Sequence, residues 1–330
     1  MRFPKARTAA EREALRQTRR PVDAVLGITG GASSRGSTYY KALRTCPRAA
    51  ALREAGLVRT GGGSESLDTG LLFHAGLEAF YGAVKLWQDT FAPGHFATLS
   101  PAETVPARYE AEVWGRLNDF AAEPGYAATF SEVERLLGAY FESYRGLDHW
   151  RILAVEETLE YAVGDLEFTA RLDLVVYDYA TKGVWVIEHK TSKALTETLM
   201  SGYQLDFQTL GQCWLMDRCV NLDDIGPFQG IVVNIVTKAK QPKIARVPVC
   251  PSRQHLVGFE QSLRMQTAVA AYARQLGAPR WIGNCSGPAQ YFGACDYFDL
   301  CHGRPTDTLE ETLAGDDPPF GFTREMKEDV

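Results

Sequence analysis

The chain has 330 residues, of which 45% are hydrophobic and 23% are charged, a composition typical of a globular protein with a sizeable core. Its formal net charge of −6 argues against a protein that coats duplex DNA without specificity, because such proteins are usually basic. No apolar run reaches the roughly eighteen residues of a membrane span, so the sequence predicts no contact with a membrane.

The N-terminal residues 1–36 are predicted to form a basic arm. Seven arginines and lysines lie within the first twenty residues, with no apolar segment of the kind found in a secretory signal. A solvated tail and an arm that touches nucleic acid both fit this pattern. The seven cysteines are odd in number, and without an export signal they predict a reduced, cytoplasmic setting rather than a disulfide framework.

The middle of the chain predicts an α/β fold. Helices are predicted over 38–56, 67–86, 130–147, 203–220 and 252–276, and strands over 153–163, 166–177, 184–190, 230–236 and 243–249. The core, at about 130–250, therefore has the order helix, three strands, helix, strand. A single domain is predicted over 37–305, with an added helical region before the core and a Cys-rich segment after it. Residues 306–330 are predicted to form an acidic tail.

Acidic residues in two of these strands are the most informative feature of the sequence. Asp173 lies in the apolar run 168–177, on the face opposite its apolar residues. Glu188 and Lys190 are two residues apart in 184–190, so their side chains share one face of the neighbouring strand. An unpaired carboxylate on a buried strand costs roughly several kcal/mol, and a divalent cation removes that cost.

Two carboxylates beside an amine predict a metal site that is suited to phosphodiester hydrolysis. Asp173, Glu188 and a backbone carbonyl, that of His189, would provide the oxygen ligands that Mg²⁺ and Mn²⁺ prefer. Lys190 would orient the attacking water or help to deprotonate it, because the pKa of an amine falls readily with burial or near a metal. The alternative is a surface ion pair between Lys190 and a carboxylate.

This pattern resembles the PD-(D/E)XK nuclease superfamily, and specifically its RecB-like branch. That family has an acidic residue on the second core strand and (Asp/Glu)-x-Lys on the third, which Asp173 and the pair Glu188 and Lys190 match. Glu157, on the first strand, lies where the family often has a glutamate. The resemblance spans about residues 37–304 and implies a restriction-endonuclease-like core.

The resemblance also implies two further site residues. Gln208 fits the family's glutamine on the following helix, and His74, in a Gly-x-x-x-His segment, fits a further metal ligand. The sequence departs from the family pattern at Ala170, where the family has glycine, and at Gln212, where it has a tyrosine four residues after the glutamine. Gln204 is the alternative to Gln208 in the glutamine position.

Four cysteines form the second candidate site. Cys46 lies in the first predicted helix, and Cys285, Cys295 and Cys301 lie in the Cys-rich segment. The arrangement resembles iron–sulfur nucleases of the same superfamily, including CRISPR-adaptation exonucleases and the AddB-type helicase–nuclease subunit. The nine residues between the first two late cysteines are similar to the spacing in phage-type homologues. The resemblance implies a structural [4Fe–4S] cluster, with a zinc site as the alternative that four thiolates also allow.

The function implied by the resemblance is that of a Mg²⁺- or Mn²⁺-dependent deoxyribonuclease. It would be an exonuclease that works on single strands or duplex ends in DNA recombination, repair or phage DNA processing. The alternative is a non-catalytic iron–sulfur subunit that binds DNA with partner proteins of a recombination or CRISPR-adaptation complex. A third interpretation is an RNA or repair nuclease of the same fold.

Overall fold

The computed structural model describes residues 20–21, 35–54, 56–59, 65–91, 113–115, 117, 127–144, 147–163, 166–276, 295, 297–298, 300 and 321–324. The chain divides into two compact units, which are described separately. The first unit consists of Met1–Ser33, Ser64–Tyr161 and Phe168–Val257, and the second of Ser34–Gly63, Ala162–Glu167 and Gly258–Val330. The predicted boundaries after residues 36 and 305 stay predictions.

Seven helices and nine strands, together with one 3₁₀ turn, are defined within the described residues. The helices are α1 (Ser37–Thr45), α2 (Pro47–Glu54), α3 (Glu65–Phe91), α4 (Ala127–Tyr144), α5 (Glu197–Gly202), α6 (Phe207–Cys219) and α7 (Arg253–Gln275). The strands are β1 (Arg20–Pro21), β2 (Leu57–Arg59), β3 (Trp150–Val163), β4 (Leu166–Asp178), β5 (Gly183–Ser192), β6 (Val220–Asn221), β7 (Phe228–Thr237), β8 (Ile244–Val249) and β9 (Phe322–Arg324). None of the described helices is long and apolar enough to cross a membrane.

A five-stranded mixed sheet forms the centre of the first unit, with the strand order β3-β4-β5-β7-β8. Strands β4 and β5 are antiparallel, and the pairing of Leu174 with Ile187 puts Asp173 at the level of Glu188. Strands β5 and β7 are parallel, so the chain needs a crossover connection between them. Helices α5 and α6 provide it. The predicted core order of helix, three strands, helix and strand is confirmed.

Helices α3 and α4 cover one face of this sheet. Leu174 and Ile187 belong to the same buried hydrophobic cluster as apolar residues of both helices. At its centre the hydroxyl groups of Tyr81 and Tyr140 lie 2.6 Å apart, in hydrogen-bond contact. The face of β4 opposite Asp173 is therefore apolar and buried, as the alternation predicts.

The predicted helices over 38–56 and 203–220 are each interrupted. The first is broken at Cys46, and α2 begins at Pro47, a residue whose fixed φ and missing N–H suit a first helical position. The second begins as α5, continues as a 3₁₀ turn over Tyr203–Leu205, and restarts as α6. Asp206 caps α6 by accepting hydrogen bonds from the backbone N–H groups of residues 208 and 209.

The second unit has a small core of its own, in which β2 pairs with β9. Cys295 and Tyr297 belong to this core, and Cys46 packs against it. The Tyr297 hydroxyl donates to the backbone oxygen of Leu57 at 2.8 Å, and its ring stacks on Phe322 with the centroids 5.8 Å apart. The packing joins an early segment and a late segment of the chain.

Candidate active site

Three residues predicted from the strand pattern are brought together on β4 and β5. The Glu188 side chain is 1% exposed and the Lys190 side chain 29% exposed. The Lys190 ammonium donates a hydrogen bond to Glu188 Oε1. Asp173 Oδ2 accepts a hydrogen bond of 2.7 Å from the backbone N–H of His189. The alternative was a surface ion pair between Lys190 and a carboxylate. Lys190 does form an ion pair with Glu188, but the Glu188 carboxylate is buried and does not lie on the surface.

Two glutamines of α6 fix both oxygens of the Glu188 carboxylate. The Gln208 amide donates to Oε1 at 2.7 Å, and the Gln212 amide donates to Oε2 at 2.6 Å. Residues four apart on a helix share one face, so both amides reach the same carboxylate. Gln208 Oε1 also accepts from Lys190 Nζ at 3.3 Å. Gln204, the alternative in the glutamine position, instead donates to the backbone oxygen of Pro248.

His74 lies beside Asp173. It projects from α3, and its Nδ1 atom is 3.4 Å from Asp173 Oδ2. One ligand atom each of His74, Asp173 and Glu156 all lie within 4.8 Å of one another. Within the described residues this group has metal-binding composition, and it contains two of the predicted ligands, His74 and Asp173. Glu188 is outside it.

Glu156 is the site residue that the sequence did not reveal. The sequence pointed to its neighbour Glu157, which is 7% exposed and has Lys85 as its charged neighbour. The backbone φ of Glu156 is 51°, in the left-handed region that non-glycine residues rarely adopt. Glu156 therefore departs from regular extended backbone within β3. Arg171 Nε lies 2.8 Å from Glu156 Oε2 and forms an ion pair with it.

The His189 side chain packs on α3 and α4, on the face of β5 opposite Glu188. Its ring stacks on Tyr81 with the centroids 5.9 Å apart and meets the edge of Tyr140 at 5.8 Å. Its Nδ1 atom is 3.2 Å from the Asn234 amide. Burial lowers the pKa of His189 well below its ordinary value, so the imidazole is neutral. The predicted ligand was the backbone carbonyl of His189, and that role stays a prediction.

Burial and mutual repulsion raise the pKa values of two of the acidic residues. Burial, followed by the charge of Glu188, raises the pKa of Asp173 from 3.8 to about 6. Burial, followed by the charge of Asp173, raises the pKa of Glu156 from 4.5 to about 8. Clustered carboxylates without enough compensating charge behave in this way. A divalent cation can replace the protons.

Lys190 is held as an ammonium ion. Burial lowers its pKa, but the charges of Glu188 and Asp173 outweigh burial, and the pKa of Lys190 is raised above its ordinary value. Without a bound metal, the neighbouring carboxylates therefore raise the pKa of Lys190 instead of letting it fall. The geometry suits Lys190 to orienting a water or a phosphate oxygen, and its role in deprotonating that water stays a prediction.

The donor set fits a hard divalent cation. Carboxylate oxygens together with one imidazole nitrogen suit Mn²⁺, and the carboxylates suit Mg²⁺. Glu156 Oε2 is buried, and its ion pair with Arg171 Nε at 2.8 Å lacks hydrogen-bond geometry. The pKa of Glu156 is raised in spite of Arg171, so this guanidinium does not offset burial and the neighbouring carboxylates, and a cation bound by His74, Glu156 and Asp173 would.

The structure brings together two of the four predicted cluster cysteines. Cys46 packs against the small core of the second unit, and Cys295 is buried within that core. Cys285 and Cys301 lie outside the described residues. The iron–sulfur assignment therefore stays a prediction.

Comparison with known proteins agrees with this geometry. The family profile of the PD-(D/E)XK nuclease superfamily matches residues 37–302. The chain belongs to the PD-(D/E)XK nuclease superfamily. PD-(D/E)XK nucleases generally depend on divalent metal ions, and the five-stranded mixed sheet is consistent with a restriction-endonuclease-like core. A search of curated proteins found no match.

Two solved structures show distant similarity to this PD-(D/E)XK chain. One is a crystal structure of a "Putative exonuclease" from Eubacterium rectale, which is 14% identical in sequence to this chain. The superposition covers 74% of this chain and 92% of that protein, with a TM-score of 0.35. The other is the protein SSO0001, which is 15% identical, covers 48% of this chain and 68% of its own, and has a TM-score of 0.25. At these scores neither structure adds an argument about function.

Proposed function

We propose that the protein is a metal-dependent DNA exonuclease that hydrolyses phosphodiester bonds in recombination, repair or phage DNA processing. The observation that carries the proposal is the buried Glu188 carboxylate, which receives hydrogen bonds from two amides and one ammonium group beside Asp173. Membership of a nuclease superfamily supports it. The same arrangement in a purely structural role would leave the Glu156 and Asp173 carboxyl groups close together, with pKa values that stay raised in spite of Arg171 and His74.

His74, Glu156, Asp173 and Glu188 are the residues that would hold Mg²⁺ or Mn²⁺, with the His189 carbonyl as a further ligand. When bound, the ion would lower the pKa of a water and offset charge on the phosphate. The two α6 amides hold Glu188 in one orientation before any substrate arrives, which is the preorganisation that catalysis requires.

Lys190 and Gln208 would act on the substrate. Lys190 remains charged, so its ammonium group can donate to a phosphate oxygen or to the attacking water. Gln208 contacts both Lys190 and Glu188, and it therefore couples the position of the ammonium group to that of the carboxylate. Loss of either side chain is expected to reduce the rate of hydrolysis, since positioning and general acid–base roles typically contribute about 100- to 10,000-fold.

A cleavage assay on end-labelled single- and double-stranded DNA tests the proposal. With Mg²⁺ or Mn²⁺ the wild type is expected to shorten the labelled strand from its end, whereas Asp173→Ala and Lys190→Met lose at least about 100-fold in rate. Lys182→Met, an exposed lysine just before the same strand, is the matched control and should cleave normally. Equal activity of wild type and Asp173→Ala would refute the catalytic assignment. A folded, metal-loaded wild type that does not cleave would favour the non-catalytic alternative.

The cysteines are proposed to hold a [4Fe–4S] cluster that joins the two ends of the chain. The packing of Cys46 against the core that contains Cys295 supports it, because two segments distant in sequence then each bring a cysteine to the same small core. Anaerobic purification followed by elemental analysis tests the proposal. About four iron atoms per chain, lost in Cys46→Ser, are expected, and zinc without iron would rule the cluster out.

A further inference from the structure

A group of lysines follows the C-terminal ends of β5 and β7, and β5 is the strand that carries Glu188 and Lys190. Strand β5 ends at Ser192 and β7 ends at Thr237, and these two residues pair in the parallel register. The backbone N–H of residue 238 donates to the Ser192 oxygen at 2.7 Å. The segments that follow both strands therefore leave the sheet side by side, at the end where the two parallel strands finish. They carry Lys193, Lys240 and Lys243, which are exposed and are called the basic rim below.

Hydrogen bonds to its backbone hold the turn that carries Lys240 and Lys243. Thr237 and Lys243 close its base, since the Thr237 N–H donates to the Lys243 oxygen at 2.9 Å and the Lys243 N–H donates to the Thr237 hydroxyl at 2.8 Å. Arg135 of α4 donates to the backbone oxygens of residues 238, 239 and 240. A guanidinium group that contacts three carbonyls holds the backbone in place, and the lysine side chains stay exposed.

The basic rim is an exception in an acidic protein. The whole chain has a net charge of −6, yet the turn over 238–243 contains three lysines and no acidic residue. Glu197 is the first acidic residue after Lys193 in the other segment. A local concentration of positive charge on a protein of opposite net charge points to a specific anionic partner rather than to general solubility.

The basic rim begins close to the candidate active site along the chain. Lys193 follows Lys190 by three residues, which is at most about 10 Å along an extended chain. Lys193 lies in the bend that follows β5, so the alternation of the strand no longer fixes the direction of its side chain. A DNA strand bound at Lys190 and Glu188 would therefore carry its flanking phosphates towards this end of the sheet.

We propose that Lys193, Lys240 and Lys243 bind the phosphates of the substrate DNA strand that flank the scissile phosphodiester. The inference rests on the proposed function, because it assigns the binding surface of that site. The contacts are electrostatic, so they position the strand without reading its sequence. Their contribution must fall as the salt concentration rises, because each lysine that meets a phosphate releases counterions.

The test measures DNA binding and chemistry separately. Binding of a fluorescent single-stranded oligonucleotide is followed by anisotropy between 0.05 and 0.5 M salt, about a tenfold range, with Ca²⁺ in place of Mg²⁺ to suppress cleavage. The triple variant Lys193→Gln, Lys240→Gln and Lys243→Gln should lower the slope of log affinity against log salt by about 2, since each single-strand phosphate contact contributes about 0.7. At 0.1 M salt the affinity should fall by about 100-fold. Lys182→Gln, at the opposite end of β5, should change neither quantity.

Hydrolysis of bis(p-nitrophenyl) phosphate with Mn²⁺ is the second readout. This small diester has no flanking nucleotides, so the triple variant should hydrolyse it at the wild-type rate, which also shows that the variant is folded. Unchanged DNA affinity and salt slope in the triple variant would overturn the proposal that the basic rim binds DNA. An equal loss of affinity in Lys182→Gln would overturn it as well. Rim-dependent DNA binding by a wild type that hydrolyses neither substrate would instead support the rim and refute the proposed hydrolase.

Discussion

Replacing Asp173 by asparagine should make the protein more stable in the absence of metal, although it removes a central residue of the site. The asparagine side chain would keep an oxygen that can accept the His189 N–H, and the change would remove a charge that burial and Glu188 oppose. The pKa of Asp173 rises from 3.8 to about 6, and each pKa unit corresponds to about 1.4 kcal/mol. At pH 8 the gain in the free energy of unfolding should therefore reach up to about 3 kcal/mol.

Urea unfolding in EDTA, repeated with Mn²⁺, measures both halves of this prediction. Wild type should gain about 2.7 kcal/mol when Mn²⁺ is present at 100 times its dissociation constant, whereas Asp173→Asn should gain little. Asp224→Asn, an exposed surface change, is the control and should alter stability by less than about 0.5 kcal/mol. A variant that is less stable than wild type in EDTA, or that keeps the full response to Mn²⁺, would refute the reasoning.

Three further predictions concern stability and pH. Gln212→Leu should lower the free energy of unfolding by about 1.5–3 kcal/mol, because a hydrogen bond to the buried Glu188 carboxylate is lost, and a urea curve identical to wild type would contradict this. In EDTA the protein should lose stability as the pH rises from about 4 to about 8. The pKa of Glu156 is raised to about 8 in the folded state, so its protonated form stabilises the fold at low pH and that stability disappears as the proton leaves. Unfolding midpoints that are flat or rising over this interval would argue against it. Arg246→Met should cost about 3–5 kcal/mol, since it leaves buried Asp148 without the guanidinium that lies 2.8 Å away. The double variant with Asp148→Leu should recover most of that loss, and no recovery would mean that the pair is not the cause.

The part of the fold that the sequence predicted correctly is the part governed by local rules. The period of two in β4 and β5 fixed which residues face the core, and the short turn between these strands fixed their antiparallel pairing. Those two facts alone bring Asp173 level with Glu188. The helix–three strands–helix–strand order followed from the same patterns, because each element is long and strongly periodic.

The parts that the sequence did not reveal depend on tertiary contacts. Nothing local distinguishes Glu156 from Glu157 or predicts the positive φ of Glu156. Gln212 looked like a departure from the family pattern, yet its amide reaches the carboxylate because Gln208 and Gln212 are one turn apart on α6. The i, i+4 spacing of the two glutamines was the one signal that could have identified the pair.

The basicity of Lys190 is a further example. Desolvation alone would lower the pKa of this amine, and the sequence favoured that outcome. The balance is decided by how many carboxylates surround the amine, and the structure places two of them near it. The pKa of a site residue depends on all the charged groups around it in three dimensions. A predicted strand pairing identifies only some of those groups.

A crystal structure of the protein soaked in Mn²⁺, with anomalous scattering used to locate the ion, would show directly whether the acidic residues bind a metal. We expect an ion about 2.0–2.2 Å from oxygens of both Asp173 and Glu188, with Lys190 still beside Glu188. An ion that lies elsewhere, or no bound ion at millimolar Mn²⁺, would contradict this expectation.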